Sequence, residues 1–169
     1  YYAIVCDGMG GAKAGNVASD MAAGIIENKL IREYAGTMSE TEIRDFLIDT
    51  VKEANFRVFS EAQKDLDFNG MGTTCVLALI IDNTVHFINA GDSRAYLINE
   101  KGILQITKDH TYVQGLVDSG EISTDEAKVH PKKNLITRAL GTEKEIEVDY
   151  YSLEIDKGKI MLCTDGLSN

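Results

Sequence analysis

The chain has 169 residues, of which 44% are hydrophobic and 26% charged, a composition typical of one soluble globular domain. Its 27 acidic residues outnumber its 17 basic ones, and the net charge of −10 argues against nucleic acid as a partner, because phosphate backbones bind basic surfaces. The acidity fits either a solvated surface or carboxylates gathered around divalent cations, and composition alone does not separate the two.

The cysteines and the absence of long apolar runs indicate the cellular compartment in which we expect the protein. Cys6, Cys75 and Cys163 form no C-x-x-C pair, and each lies in a strand-like apolar run where free cysteine packs as a small hydrophobe. We therefore expect reduced thiols and a cytoplasmic protein. No apolar run approaches the roughly 20 residues that a membrane helix needs, and no signal peptide is recognisable. Because the sequence starts within one strand pattern and stops after another, we expect a domain truncated at both ends.

In chain order, the first predicted elements are a buried strand over residues 1–6 and then two helices. Apolar residues recur at helical spacing over residues 17–34, and a glycine follows. Ser39 and Glu42 form a capping-box pattern that opens a second helix, extending to about residue 64. The short connection between the helices predicts an antiparallel pair.

Strands dominate the rest of the chain. Four short strands separated by turns indicate an antiparallel meander, and they span residues 73–81, 85–89, 94–99 and 103–107. A polar, short-helical segment follows, in which Ser123 and Glu126 form another capping pattern. Alternating apolar residues and a final buried strand over residues 159–164 complete the chain. Helices beside antiparallel strands predict one α+β domain over residues 1–169.

The glycine-rich stretch IVCDGMGGAKAG, residues 4–15, does not match the known phosphate-binding loops. A Walker loop needs Ser or Thr after its lysine, whereas Lys13 is followed by Ala14, and the dinucleotide fingerprint would need glycine at position 13. We therefore interpret the glycines as leaving open space around Asp7.

An isolated Asp-Gly after a strand is usually a turn, but this chain has two such pairs. Asp165-Gly166 closes the final strand in the same way that Asp7-Gly8 closes the first. If the two strands are sheet neighbours, their carboxylates converge, and Mg²⁺ and Mn²⁺ favour such oxygen ligands together with carbonyls such as that of Gly8. The residues alone thus make a metal site plausible.

Several motifs in a fixed order carry a family resemblance: V-C-D-G-M-G-G at 5–11, G-M-G-T-T at 70–74, A-G-D-S-R at 90–94 and C-T-D-G-L at 163–167. Together they resemble the metal-dependent protein phosphatases of the PPM (type 2C) family, and the segments between residues 109 and 141 resemble its bacterial branch. The resemblance implies an α-β-β-α sandwich of two antiparallel sheets flanked by helix pairs. It also implies hydrolysis of phosphoserine and phosphothreonine in proteins, with two core Mn²⁺ or Mg²⁺ ions and a third, weaker one. The implied partners are phosphorylated proteins, including a Ser/Thr kinase, and the implied state is a monomer.

The resemblance also implies roles for individual residues. Asp7 matches the aspartate that bridges the two core metals, Gly8 the residue whose carbonyl binds one of them, and Asp165 a carboxylate of the second metal. Asp118 matches a carboxylate that helps to hold the third metal beneath a mobile flap, here about residues 111–130. The implied nucleophile is a metal-bridging hydroxide, so no catalytic side chain is named.

The sequence departs from the family pattern in two ways. Met9 stands where many eukaryotic members have a histidine proposed as the general acid, and methionine has no proton to give. The chain also lacks the family's upstream arginine and acidic residue and its downstream Asp-Asn, so we expect this fragment to bind metal weakly and to lack activity.

Two further hypotheses concern the remaining motif residues and a non-catalytic role. We interpret Asp92, Ser93 and Arg94 as structural, with Asp92 a candidate to support a metal ligand from outside. The alternative hypothesis is a catalytically inactive phosphatase-fold domain that binds or regulates a partner. The retained Asp7, Gly8, Asp118 and Asp165 argue against it.

Overall fold

A computed structural model describes residues 1–168. The helices are α1 (Ala12–Glu33), α2 (Glu40–Ala62), α3 (Tyr112–Asp118), α4 (Thr124–Val129) and α5 (Asp165–Ser168), with a 3-10 turn at Leu66–Phe68. The strands are β1 (Tyr2–Val5), β2 (Gly8–Met9), β3 (Gly72–Thr73), β4 (Cys75–Ile81), β5 (Thr84–Ala90), β6 (Arg94–Asn99), β7 (Gly102–Gln105), β8 (Asp149–Glu154) and β9 (Lys159–Cys163).

The strands form two main antiparallel sheets. One has the order β1-β4-β5-β8 and the other β7-β6-β9, while β2 pairs with β3. The predicted meander is therefore wrong, since β4 and β5 lie in the first sheet and β6 and β7 in the second. The chain changes sheets at residues 91–93, where Gly91 has φ 112° and a Cβ would lie 2.6 Å from Thr74 Cγ2. Glycine permits this turn because other residues rarely adopt such a φ.

Two apolar layers hold the molecule together and confirm the α+β sandwich. Buried residues of α1 and α2 pack on one face of the four-stranded sheet. A second cluster, which includes Val76, Phe87 and Ala95, lies between the two sheets. In α1 the buried positions Ala14, Ala18 and Ala22 are small, and so the helix approaches its neighbours closely. Residues 1–168 thus supply a helix pair and two sheets in face-to-face layers.

The helix boundaries follow from local chemistry. α2 begins at the predicted capping box, in which Ser39 accepts a hydrogen bond from the Glu42 amide and Glu42 accepts one from the Ser39 amide. α1 begins at Ala12, five residues before the predicted start at Val17. Its N-cap is Gly11, with φ 92° and no side-chain cap, so no capping residue marks the start in the sequence.

A buried amide ties α2 to the segment that leads into β8. Asn55 is 1% exposed, accepts a hydrogen bond from the Gly141 amide at 2.8 Å, and donates to the carbonyls of Glu143 and Lys144 at 3.1 Å each. One side chain therefore satisfies three backbone groups of an otherwise irregular loop.

We expect Asn55→Ala to lower the free energy of unfolding by roughly 3 kcal/mol, because buried backbone groups lose their partners. Urea unfolding followed by circular dichroism measures the loss. Asn28→Ala is the matched control, since Asn28 is also inside a helix but is exposed and donates only to its own helix, at Gly24. The control should change stability by less than about 0.5 kcal/mol, and equal effects in the two variants would contradict the role of Asn55.

Candidate metal centre

Asp7 is the second residue after β1, and its backbone is held by Thr74 on the neighbouring chain segment. The Asp7 amide donates to Thr74 Oγ1 at 3.0 Å, and the Thr74 amide donates to the Asp7 carbonyl at 2.9 Å. Thr74 Oγ1 also lies 2.6 Å from Ser93 Oγ. The segments that carry Asp7 and Asp92 are thus joined through two buried hydroxyls.

Asp165 opens α5 two residues after the end of β9, and its carboxylate lies within hydrogen-bonding reach of Asp7. Burial, followed by repulsion from Asp165, raises the pKa of Asp7. The two carboxylates therefore converge as the sequence predicted, but by a different route. β1 and β9 are not neighbours within one sheet; they belong to the two facing sheets.

Asp92 lies in the turn between β5 and β6 and joins the same group of acids. Burial, with repulsion from Asp165, Asp109 and Asp7, raises its pKa to about 6. The sequence led us to interpret Asp92 as structural and as a candidate to support a metal ligand from outside, whereas the structure places it within the group of acids. The available signal was its position: like Asp7 and Asp165, it follows closely on the end of a strand.

Asp118, at the end of α3, has basic and amide partners. Its carboxylate pairs with Lys108 Nζ at 2.6 Å and accepts a hydrogen bond from Gln114 Nε2 at 2.9 Å. These hydrogen bonds lower the pKa of Asp118, the opposite direction from Asp7 and Asp92. The described contacts therefore bring Asp7, Asp92 and Asp165 together and place Asp118 with Lys108. Its role at a third ion stays a prediction.

Gly8 is needed for close backbone packing. Residues 8–9 form β2, and a Cβ on Gly8 would overlap the carbonyl oxygen of Gly15 in the first turns of α1. Gly15 in turn has the backbone of Gly8 within 3 Å of its own missing Cβ position, at 2.8 Å. The glycines therefore seat α1 against the segment that follows Asp7, a more specific role than the open space that the sequence suggested.

A cleft of about 570 Å³ opens beside the acidic group. Asp92 and Asp165 line it together with Arg94, Asp109 and Lys133. Arg94 is engaged by Asp109 through two short contacts, Nε to Oδ1 at 2.8 Å and Nη2 to Oδ2 at 2.7 Å. This bidentate pair agrees with the structural role expected for Arg94.

The donor set fits a hard divalent cation. Mg²⁺ and Mn²⁺ use carboxylate oxygens supplemented by carbonyls and water, and a cation would offset the repulsion that raises the pKa values of Asp7 and Asp92. Within residues 1–168, no three His, Cys, Asp or Glu side chains meet in a geometry that would hold an ion unaided. A bound cation would therefore also depend on oxygens such as the Gly8 carbonyl and on water.

The sandwich and its acidic edge place the chain among α+β proteins with a carboxylate site between two sheets. The chain belongs to the protein phosphatase 2C family, whose sequence pattern matches residues 1–169. The Listeria monocytogenes protein named serine/threonine phosphatase stp is 41% identical over 167 residues, covering 98% of this chain and 66% of that protein. The chain thus spans slightly less than two thirds of this curated relative.

Solved structures agree with the fold. The serine/threonine phosphatase Stp1 from Staphylococcus aureus superposes with a TM-score of 0.92 at 38% identity, over 99% of this chain and 65% of that one. The catalytic domain of the serine threonine protein phosphatase PstP, solved in complex with 2 manganese ions, gives 0.83 at 34% identity, over 99% and 68%. Among residues 1–168, no helix is long and apolar enough to span a membrane.

We expect Gly8→Ala to lower the free energy of unfolding by about 3 kcal/mol, because the new methyl group forces β2 away from α1. Gly24→Ala is the matched control: Gly24 lies within α1 with nothing inside 4 Å of its Cβ position. That control should gain about 0.5–1 kcal/mol from better helix propensity. Urea unfolding of both variants decides, and a Gly8→Ala protein as stable as the parent would contradict the packing role.

Proposed function

We propose that this chain is part of a metal-dependent enzyme that hydrolyses phosphoserine and phosphothreonine in proteins. The observation that carries the proposal is the contact between the Asp7 and Asp165 carboxylates across the two sheets. Membership of the protein phosphatase 2C family supports the same chemistry.

In this proposal the carboxylates of Asp7 and Asp165 and the carbonyl of Gly8 hold two Mn²⁺ or Mg²⁺ ions. When bound, such ions activate water at neutral pH and offset the negative charge on the phosphoryl oxygens. The solved complex of PstP with 2 manganese ions supports this choice of cation. Asp92, in the turn between β5 and β6 and near Asp165, would contribute a further carboxylate.

The chain's own residues position these groups and the substrate. Thr74 and Ser93 fix the backbones on which Asp7 and Asp92 stand. The cleft gives a phosphorylated side chain access to Asp92 and Asp165, and the ammonium group of Lys133 on its wall attracts the phosphate dianion.

Neither Met9 nor His110 is placed to donate the proton that the leaving alkoxide needs. Met9 lies in β2 opposite Gly72 and has no proton to give. His110 accepts the Gly91 amide through Nδ1 and contacts Asp149 through Nε2, and burial lowers its pKa. It is therefore engaged in holding the turn before Asp92. Water in the open cleft is the donor that these contacts favour.

The substrates in this proposal are phosphorylated proteins, with a Ser/Thr kinase as the opposing enzyme, in the cytoplasm and with a monomeric phosphatase. The relatives' names, serine/threonine phosphatase stp and protein phosphatase PhpP, support the substrate class.

The decisive experiment assays the full-length protein on a phosphothreonine peptide with Mn²⁺ and again after chelation with EDTA. Asp7→Asn and Asp165→Asn should each lower kcat about 100-fold or more, since each removes charge that holds the ions. Asp20→Asn, an exposed position on α1, is the control and should leave kcat unchanged. Activity that survives EDTA, or that is unchanged in Asp7→Asn, would overturn the metal mechanism.

A Mn²⁺ titration of the same activity tests the contributions of Asp118 and Asp92 one at a time. If Asp118 helps to hold a third, weaker ion, Asp118→Asn should raise the Mn²⁺ concentration for half-maximal activity roughly tenfold. Asp92→Asn should do so at least as strongly, because Asp92 lies beside Asp165. An unchanged titration in Asp118→Asn removes the third-ion role of Asp118 and leaves the two-ion proposal intact.

A further inference from the structure

Two cysteine thiols lie opposite each other beside Asp7, where β1 ends and the antiparallel strand β4 begins. The register of the two strands pairs Val5 with Val76, so the next pair in the same register is Cys6 with Cys75. Both side chains pack in the cluster between the sheet and the helices, Cys75 buried and Cys6 half-buried. The two sulfurs therefore share one face of the sheet at directly opposed positions.

The backbone hydrogen bonds show which type of antiparallel residue pair Cys6 and Cys75 form. Tyr1 and Ile80 exchange both backbone hydrogen bonds, at 3.0 and 2.7 Å, and the Thr74 amide donates to the Asp7 carbonyl at 2.9 Å. Because bonded and non-bonded pairs alternate along antiparallel strands, Cys6–Cys75 is a non-hydrogen-bonded pair. Its Cα atoms are then about 4.5 Å apart, with the side chains drawn close together. Disulfides form at Cα separations of about 4.4–6.8 Å, so the pair lies at the short end of the permitted range.

The pKa of Cys75 agrees with this opposed placement of the thiols. A side-chain hydrogen bond with Cys6, together with burial, raises the pKa of Cys75 well above its ordinary value. Cys163 has a different environment, since its partner in the strand register is Arg94 on β6. Cys6 and Cys75 are thus the thiol pair that the sheet brings together, and Cys6 is the one with exposed surface.

We propose that Cys6 and Cys75 are a reversible oxidation site, which a peroxide converts into a cross-strand disulfide that weakens cation binding at Asp7. The effect on cation binding rests on the proposed function, whereas the oxidation site rests on the thiol geometry alone.

The chemistry balances with one peroxide per disulfide. The Cys6 sulfur attacks a peroxide oxygen, the O–O bond breaks, and the departing oxygen leaves as water with the thiol proton, so that Cys6 becomes a sulfenic acid. The Cys75 sulfur then attacks the Cys6 sulfur and the S–OH bond breaks. The second water carries away the Cys75 proton. The two sulfurs together lose two electrons, which reduce the peroxide, and a dithiol reductant reverses the reaction.

A disulfide would affect the metal site because Cys6 and Cys75 are the chain neighbours of Asp7 and Thr74. Asp7 follows Cys6 and Thr74 precedes Cys75, and the backbones of Asp7 and Thr74 are joined by two hydrogen bonds. A disulfide fixes the separation and twist of the Cys6–Cys75 pair, and the next pair carries the carboxylate that the cation needs. Altered support around a metal ligand typically changes affinity 10–100-fold, so we expect about tenfold weaker binding.

The oxidation site is tested on the full-length protein with hydrogen peroxide, followed by alkylation, digestion and mass spectrometry. We expect a Cys6–Cys75 linked peptide that dithiothreitol removes, in the parent and equally in Cys163→Ala. Cys6→Ala and Cys75→Ala should yield no such peptide, and Cys6→Ala, at a half-buried position, guards against a folding defect in Cys75→Ala. Absence of the linked peptide in the parent, or linkage through Cys163, would overturn the site.

The effect on the site is tested by calorimetric titration with Mn²⁺ alone, before and after oxidation. An approximately tenfold loss of Mn²⁺ affinity on oxidation of the parent, with no loss in Cys6→Ala, supports the effect on cation binding. Equal affinities of the reduced and oxidised parent overturn it. If the reduced parent binds no Mn²⁺, the proposed function fails, and so does the proposed effect of oxidation on cation binding. The linked peptide still decides the oxidation site, so the two failures are distinguishable.

Discussion

Electrostatic repulsion among carboxylates at the meeting point of two sheets is the constraint on which this structure depends. Asp7 and Asp165 come from strands of different sheets, and Asp92 from the turn that connects the sheets. The pKa values of Asp7 and Asp92 are raised, so the folded state holds those protons more tightly than an unfolded chain does. At pH values above these pKa values the two groups therefore oppose folding. A divalent cation at this position relieves the opposition, which couples cation binding to stability.

The rest of the site holds these acids in place with groups that add little charge. Thr74 and Ser93 contribute hydroxyls, and the mutual approach of Gly8 and Gly15 is a backbone contact. Asp109, a further acid beside Asp92, is paired with Arg94 at 2.7 Å. The acids near the cleft thus differ: Asp109 is neutralised by a fixed arginine, whereas Asp7 and Asp92 have their pKa values raised by burial and by neighbouring acids. Together with the proposed function, this difference assigns the Gly-Asp-Ser-Arg turn two roles, support at Arg94 and, in the proposal, a further carboxylate at Asp92.

What the sequence predicted well depends on near neighbours. The capping boxes at Ser39 and Ser123 form as expected, since a cap is completed within three residues. The meander failed because the turns that join strands within a sheet resemble the turn that carries the chain between sheets. In the fold, the turn between the sheets is marked by the packing of Gly91 against Thr74. Asp92 was undervalued for the same reason, because its proximity to Asp165 exists only once β5 and β6 lie in facing sheets.

The histidine contacts extend this argument to proton transfer. His110 lies against the turn that carries Asp92, with Nδ1 accepting the Gly91 amide at 3.0 Å and Nε2 3.2 Å from Asp149 Oδ2. The Gly91 amide requires an unprotonated Nδ1 and so a neutral imidazole, while Nε2 lies between Asp149 Oδ2 and the donor Nη1 of Arg138, which is 2.9 Å away. Burial lowers the pKa of His110 and favours that same neutral form. An imidazole held in this way fixes the geometry of Asp92 and has no proton to spare for a leaving group. With methionine at position 9, the proposed reaction would take its proton from the open side of the cleft, where Asp92 and Lys133 lie.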